Sequence, residues 1–245
     1  MKKYASPLSE KDDPVNYLVA CETIEDEVKA ALARLKLDYP IIWLEGGLHN
    51  SPERLRGRLR EVLTEAEGRC DNLIFTLGYC GGGVSDLTTG GYTTVLPLAD
   101  DCISILLGSL SARLKASRPP TYFLTEGWMR HENNVITSYD RTVEKYGRAK
   151  ADRINKLMLK NYRRFGLVDT GCYDLQVASD KVAPLAEIME LEVERLPGQE
   201  SWLDRLLTGP WDNPALFLVL PPHSDLRFEQ WSGLLDQVEV STPGA

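Results

Sequence analysis

Three cysteines and one histidine follow apolar, strand-like runs at similar points along the chain. Tyr17-Leu-Val-Ala20 runs into Cys21. Ile41-Ile-Trp-Leu44 runs into Glu45-Gly-Gly-Leu-His49. Asn72-Leu-Ile-Phe-Thr-Leu-Gly-Tyr79 runs into Cys80 and then Gly81, Gly82 and Gly83. Thr93-Thr-Val-Leu-Pro-Leu98 runs into Ala99-Asp-Asp-Cys102. Thiolate and imidazole are the side chains soft enough to hold zinc or an iron–sulfur cluster. No local Cys-x-x-Cys pair exists, so the signal is positional. If the four runs are parallel strands of one sheet, their carboxyl ends share the edge where open α/β sheets place ligands. Strands about 4.8 Å apart then let Cys21, Cys80, Cys102 and His49 share one ion. The competing reading of each cysteine is a small buried hydrophobe.

The individual residues carry further expectations. Cys102 stands at the start of a helix, where free N–H groups and the helix dipole favour a thiolate, as ligand or as nucleophile. Asp100 and Asp101 oppose that ionisation unless a cation compensates. His49 either completes a ligand set or moves protons. Glu126, at another strand end beside Trp128, is a second proton-carrying candidate, against the simpler reading of a solvated carboxylate. The triple glycine Gly81, Gly82 and Gly83 lets the backbone pass close to Cys80 and whatever it binds, with an anion cradle as the alternative. It matches neither the dinucleotide fingerprint nor the P-loop. Cys70 precedes its strand and reads as structural, whereas Cys172 could approach the site. For His131 and His223 only their loop positions can be cited.

The elements that would position these residues alternate between strand and helix. Glu22 to Leu35 has acids in its first turn and apolar residues at helical spacing. Ser51-Pro52 opens a second helix. Cys102 to Lys115 reads as a third helix, Ser138 to Tyr146 and Lys150 to Phe165 as two more, and Ala183 to Leu196 as another. Pro119 to Thr125, Gly166 to Gly171 and Ala215 to Leu220 read as further strands, and residues 81–92 as a shaped loop. This pattern implies an α/β fold: a single three-layer domain over residues 16–240, with a mostly parallel sheet flanked by helices. Residues 1–15 read as a loose polar lead-in and 242–245 as a loose tail.

Bulk properties exclude several classes. A net charge of −8 argues against phosphate-backbone and anionic-membrane binding, so neither nucleic acid nor membrane is an expected partner. No apolar run nears the roughly 20 residues that span a bilayer, and the polar start lacks a signal-peptide core. A cytoplasmic location is expected, and there five cysteines are thiols, metal ligands or nucleophiles before they are disulfides.

Several stretches are familiar together. Ala20-Cys-Glu22, Leu44-Glu-Gly-Gly-Leu-His-Asn50, Leu77-Gly-Tyr-Cys-Gly-Gly-Gly83, Asp101-Cys-Ile-Ser-Ile-Leu-Leu-Gly-Ser109, Leu124-Thr-Glu-Gly-Trp128, Val143-Glu-Lys-Tyr-Gly147 and Val168-Asp-Thr-Gly171 resemble the family known as domain of unknown function 1638. The likeness spans about residues 17 to 220. Members occur in bacteria and archaea, some beside components of corrinoid-dependent methyl transfer. The resemblance thus implies a role near one-carbon or methyl-group metabolism, with a corrinoid protein or a methyltransferase as partner. Where the family pattern has His-Asp-Cys, this chain has Asp100-Asp101-Cys102, and the glycine spacing around Cys80 also differs.

Together the residues predict a metal-binding enzyme. Cys21, Cys80 and Cys102 hold one zinc, or an iron–sulfur cluster with an open position. The expected chemistry is methyl or alkyl transfer involving sulfur or a corrinoid, on a small-molecule substrate. Two alternatives stand beside it: a non-catalytic carrier of metal or corrinoid for a methyltransferase, and a metal-free thiol redox enzyme with Cys102 reactive and Cys80 resolving.

Overall fold

A computed structural model describes residues 14–233. The expected lead-in up to residue 13, the tail at 242–245 and the end of the expected domain at 240 lie outside the described residues. In chain order the elements are β1 (Asn16–Cys21), α1 (Glu25–Leu35), β2 (Ile41–Leu44), α2 (Pro52–Glu65), β3 (Asn72–Phe75), β4 (Leu87–Thr88), β5 (Thr93–Pro97), α3 (Cys102–Leu106) and α4 (Leu110–Ala116). There follow β6 (Thr121–Leu124), α5 (Glu126–Arg130), α6 (Val135–Tyr146), α7 (Arg148–Leu159), β7 (Arg164–Asp169), α8 (Leu175–Met189), β8 (Glu192–Pro197), α9 (Ser201–Thr208), β9 (Phe217–Leu220) and β10 (Asp225–Leu226). Among the described residues no helix is long and apolar enough to cross a membrane.

The central sheet has the order β2-β1-β3-β5-β9. The first four strands run parallel and only β9 is antiparallel, at the edge. Leu18, Val19 and Ala20 of β1 are all fully buried. That is expected of a parallel strand covered on both faces. Leu18, Ala20, Ile74 and Val95 face one buried cluster, while Val19, Leu73, Phe75 and Leu96 face the other. The period-two alternation of the strands thus divides the core into two layers. Helix α2 covers one face with Leu55, Leu59, Val62 and Leu63, and starts with Pro52 at its first position. Helix α1 covers the other with Val28, Ala31 and Leu32, carries Glu25, Asp26 and Glu27 in its first turn, and ends on Lys36 in the left-handed region.

The fold class is therefore the expected one, mixed α/β with a mostly parallel central sheet flanked by helices. Several elements depart from the reading of the sequence, and the helix expected to Phe165 ends at Leu159, with Arg164 and Phe165 in β7. The strands at 121–124 and 164–169 do not extend the central sheet; with β8 they form a second parallel sheet, β6-β7-β8. Residues 183–196 are not one helix. Helix α8 starts at Leu175, with Asp174 capping the N–H groups of Gln176 and Val177, and ends at Glu190 in the left-handed region, after which Glu192–Pro197 is strand. The continuing apolar spacing hid that turn, and pairing with β7 overrides helix propensity there. The segment from Cys102 to Lys115 breaks at Gly108, which has φ +82° and lies against Gln199. Ser109 then caps a new helix by accepting from the Ala112 N–H at 3.0 Å.

The two sheets share a core. Val168 of β7 and Leu196 of β8 belong to the same buried cluster as Leu18 and Ala20 of β1. A third cluster, including Leu124, Phe165 and Leu167, lies between the second sheet and α6 to α8.

Two glycines test this packing. A Cβ on Gly78 would stand 2.7 Å from the Asp101 nitrogen and 2.8 Å from the Ala99 oxygen, both backbone atoms. Gly78→Ala is expected to cost about 2 kcal/mol or more. Gly57, inside α2 with nothing within 4 Å of its would-be Cβ, is the control. There Gly57→Ala should gain about 0.5–1 kcal/mol. Urea unfolding of both variants checks the pair.

Candidate functional site

The loops that leave the carboxyl ends of β1, β2, β3 and β5 converge. Cys21 ends β1, paired in register with Leu44 of β2. The turn at residues 22–24 follows directly, and the Thr23 hydroxyl lies 3.1 Å from the Cys21 sulfur. Beyond β3 and β5 the two chains stay joined. The Tyr79 N–H donates to Ala99 O at 2.9 Å and the Cys80 N–H to Asp100 O at 2.8 Å. The absent side chain of Gly78 permits that approach. Cys80 is thereby held beside the segment that carries Cys102.

The backbone then turns sharply. Cys80, Gly81 and Gly82 have φ of +48°, +64° and +95°. For the glycines this is free, but for Cys80 it costs about 1–2 kcal/mol. Such strain persists where surrounding structure enforces it, and it gathers at functional sites. Here Arg56 of α2 enforces it, donating to Gly82 O and Ser85 O, each at 2.8 Å. Asp101 caps α3 through Ser104 N at 3.0 Å and accepts from Arg113 Nη2 at 3.1 Å. Asp100 accepts from the Ser104 hydroxyl.

Cys21, His49, Cys80 and Cys102 all line one cavity of about 450 Å³. Its far wall comes from the second sheet and its neighbours: Tyr122, Phe123, Thr125, Trp128 and Tyr162. Thr125 ties that wall to the thiols. Its hydroxyl donates to Thr23 O at 3.1 Å and accepts from Trp128 N at 3.1 Å. A Cβ on Gly127 would come within 2.4 Å of Thr23 O, so α5 and the turn after Cys21 touch backbone to backbone.

Burial sets the charge state of the cluster. It pushes the Cys102 thiol well above its ordinary pKa, and negative charge at Asp101, Cys80 and Cys21 adds to the rise. Cys80 is raised for the same leading reason, with Asp101, Cys21 and Asp100 contributing. Cys21 is raised by burial too, partly offset by Thr23. Cys102 is thus near enough to feel charge on Cys80 and Cys21, and Cys80 to feel charge on Cys21. Asp100 is pushed up to about 6, by burial and then by Asp101. His49 is lowered by burial and by His131, against the pull of Asp101, so its imidazole is neutral at neutral pH. Its ring lies 5.0 Å from that of Trp128, which stacks on His131 at 5.3 Å and 9°. Gly46 and Gly47 lie under His131, where a Cβ would be 2.4 and 2.7 Å from ring atoms.

The remaining candidates fall elsewhere. Glu126 does not line the cavity; its carboxylate pairs with Lys181 at 2.6 Å. Gly81 lines it, whereas Gly83 lies under Leu55 and Gly82 against the Tyr79 ring. Cys70 sits apart with its thiol pushed up to about 11 by burial, and Cys172 lines a separate small cavity with Glu27. All five cysteines are free. Among the described residues no three His, Cys, Asp or Glu side chains stand in metal-ligating geometry. Sequence reasoning placed Trp128 at a strand end but missed Thr23, Arg113 and the rest of the aromatic wall. Thr23 was within reach, two residues after Cys21 in a turn, but nothing local marks Arg113, Tyr122 or Tyr162.

The chain is thus an α/β protein with a thiol-lined cavity between the edge of a parallel sheet and a second, smaller sheet. The profile of a family described as "Protein of unknown function (DUF1638)" matches residues 43–207, and the chain belongs to that family. The matched span includes His49, Cys80, Cys102 and the aromatic wall, while Cys21 precedes it. No curated protein and no solved structure matches the chain.

The thiol environment has a direct readout. In chelator-treated protein, disulfide-exchange labelling should rise with pH, because only the thiolate reacts. None of Cys21, Cys80 and Cys102 should show a midpoint below about 8.5. Thr23→Val should move Cys21 higher still, since it removes a donor to the thiolate.

Proposed function

We propose that the cavity is a thiolate metal site, and that the protein uses it to transfer a methyl or alkyl group to or from sulfur. The observation that carries this reading is the convergence of three free thiols from three separate strand ends on one cavity. One of them, Cys80, sits on strained backbone of the kind that gathers at functional sites.

The donor set fits a soft divalent cation such as zinc. Burial and mutual repulsion keep the thiols protonated on their own, and Asp100 and Asp101 add to that opposition. A bound cation reverses the balance. Cys21, Cys80 and Cys102 would hold it. Bound there, zinc would keep sulfur deprotonated yet electron-rich at neutral pH, which is the property alkyl transfer needs. His49, kept neutral by burial, faces the same cavity as the group that takes up or returns a proton.

The raised thiols weigh against metal-free redox chemistry, which calls for a low-pKa cysteine. An aromatic-walled cavity of about 450 Å³ favours an enzyme with a small substrate over a carrier of metal or corrinoid, which needs no such space.

Elemental analysis of protein purified without oxygen tests the reading. About one zinc per chain is expected. Cys80→Ser and Cys102→Ser should lose the metal, and His49→Ala should keep it. Protein with neither zinc nor iron, together with a Cys80→Ser variant indistinguishable from the parent, would overturn it.

A further inference from the structure

The rest of the cavity lining identifies the kind of molecule it suits. Three carboxylates, Glu45, Asp100 and Asp101, stand in its wall against one guanidinium, Arg113. Arg113 is already engaged. Its Nη2 bonds Asp101 at 3.1 Å, its Nη1 bonds Ser117, and its plane lies 4.0 Å from the centre of the Phe123 ring. Its Nε is buried and has no hydrogen-bond partner. An anionic ligand would meet surplus negative charge and find no free cation to pair with. Bound thiolates would add to that surplus.

The carboxylates are only partly committed. Asp101 uses both oxygens, on Ser104 N and Arg113, and Asp100 holds Ser104 through one of its two. Glu45 is exposed at the cavity's mouth. Their negative field lies next to the aromatic side chains Tyr122, Trp128 and Tyr162. That combination suits a weakly hydrated cation with no N–H groups to satisfy, held by aromatic rings and by charge.

We propose that the cavity binds a quaternary ammonium cation, with its methyl groups against Tyr122, Trp128 and Tyr162 and its charge opposite Glu45, Asp100 and Asp101. The binding statement stands on the lining alone. The reaction it implies rests on the transfer reading above. A thiolate sulfur of the cluster attacks a methyl carbon, and the carbon–nitrogen bond breaks with its electron pair left on nitrogen. A thioether forms and a neutral tertiary amine leaves. One negative and one positive charge cancel, and neither oxidant nor proton is consumed.

The test is calorimetric titration of the full chain with three probes of one shape: choline, the neutral 3,3-dimethylbutan-1-ol and the anionic 3,3-dimethylbutanoate. Each is run on protein as purified and after chelation. Choline should bind at least about tenfold tighter than the alcohol in both forms, and the carboxylate weakest. Trp128→Ala should abolish that preference and Trp128→Phe retain most of it. Glu45→Gln, an exposed change at the rim, should weaken choline by about twofold to threefold and leave the alcohol unmoved. Equal binding of choline and alcohol, tighter binding of the carboxylate, or no binding of choline overturns the proposal. Choline selectivity in protein that never holds metal would leave it standing while removing the transfer reading. A metal-loaded protein without that selectivity would do the reverse.

Discussion

The site depends on how two parallel strands continue to pair after they cease to be strands. Past Phe75 and Pro97 the chains leave the regular ladder, yet Tyr79 and Cys80 still donate to Ala99 and Asp100. Side chains that would otherwise drift apart in separate loops are therefore held side by side. Gly78 is the condition for this closure, because any Cβ there meets backbone that cannot yield. Everything chemical about the cavity follows: Cys80 beside Cys102, Asp101 poised to cap α3, and strain at Cys80 held by Arg56.

A second consequence is electrostatic. Bringing three thiols and two carboxylates to a buried edge concentrates groups that all prefer not to ionise together. One guanidinium, Arg113, offsets part of that charge through Asp101, and is itself steadied on Phe123. A cluster so arranged carries a standing preference for positive charge.

The smaller sheet gives an exposed edge a second wall. Val168 and Leu196 join the core of the central sheet, and the contact of Gly127 with Thr23 sets α5 against the turn after Cys21. That contact carries Trp128 to His49, with His131 stacked behind. Elements nearly eighty residues away in sequence thus crowd the imidazole, although it keeps an exposed side, and the partial loss of solvent lowers its pKa.

Much of this was legible in the sequence because it is written in local patterns. Four short apolar runs, each ending at a cysteine or shortly before a histidine, imply parallel strands whose ends coincide, and the central sheet has them adjacent. Pro52, the acids of α1 and the core faces of α1 and α2 obey helix rules that need no partner. Other features had no local mark. Whether β6 and β7 extend the first sheet or form another depends on long-range pairing, and the break at Gly108 depends on packing against Gln199. The charged strand β8 looks like the end of a helix until β7 claims it. Glu126 stands at a strand end as the pattern requires, yet Lys181 draws it away from the cavity. Sequence by itself determined where the strands of the central sheet lie and which reactive side chains follow them, because period and punctuation are properties of neighbours along the chain. Tertiary structure alone decided which of those side chains share a space and what faces them, because that rests on contacts between segments far apart in the chain.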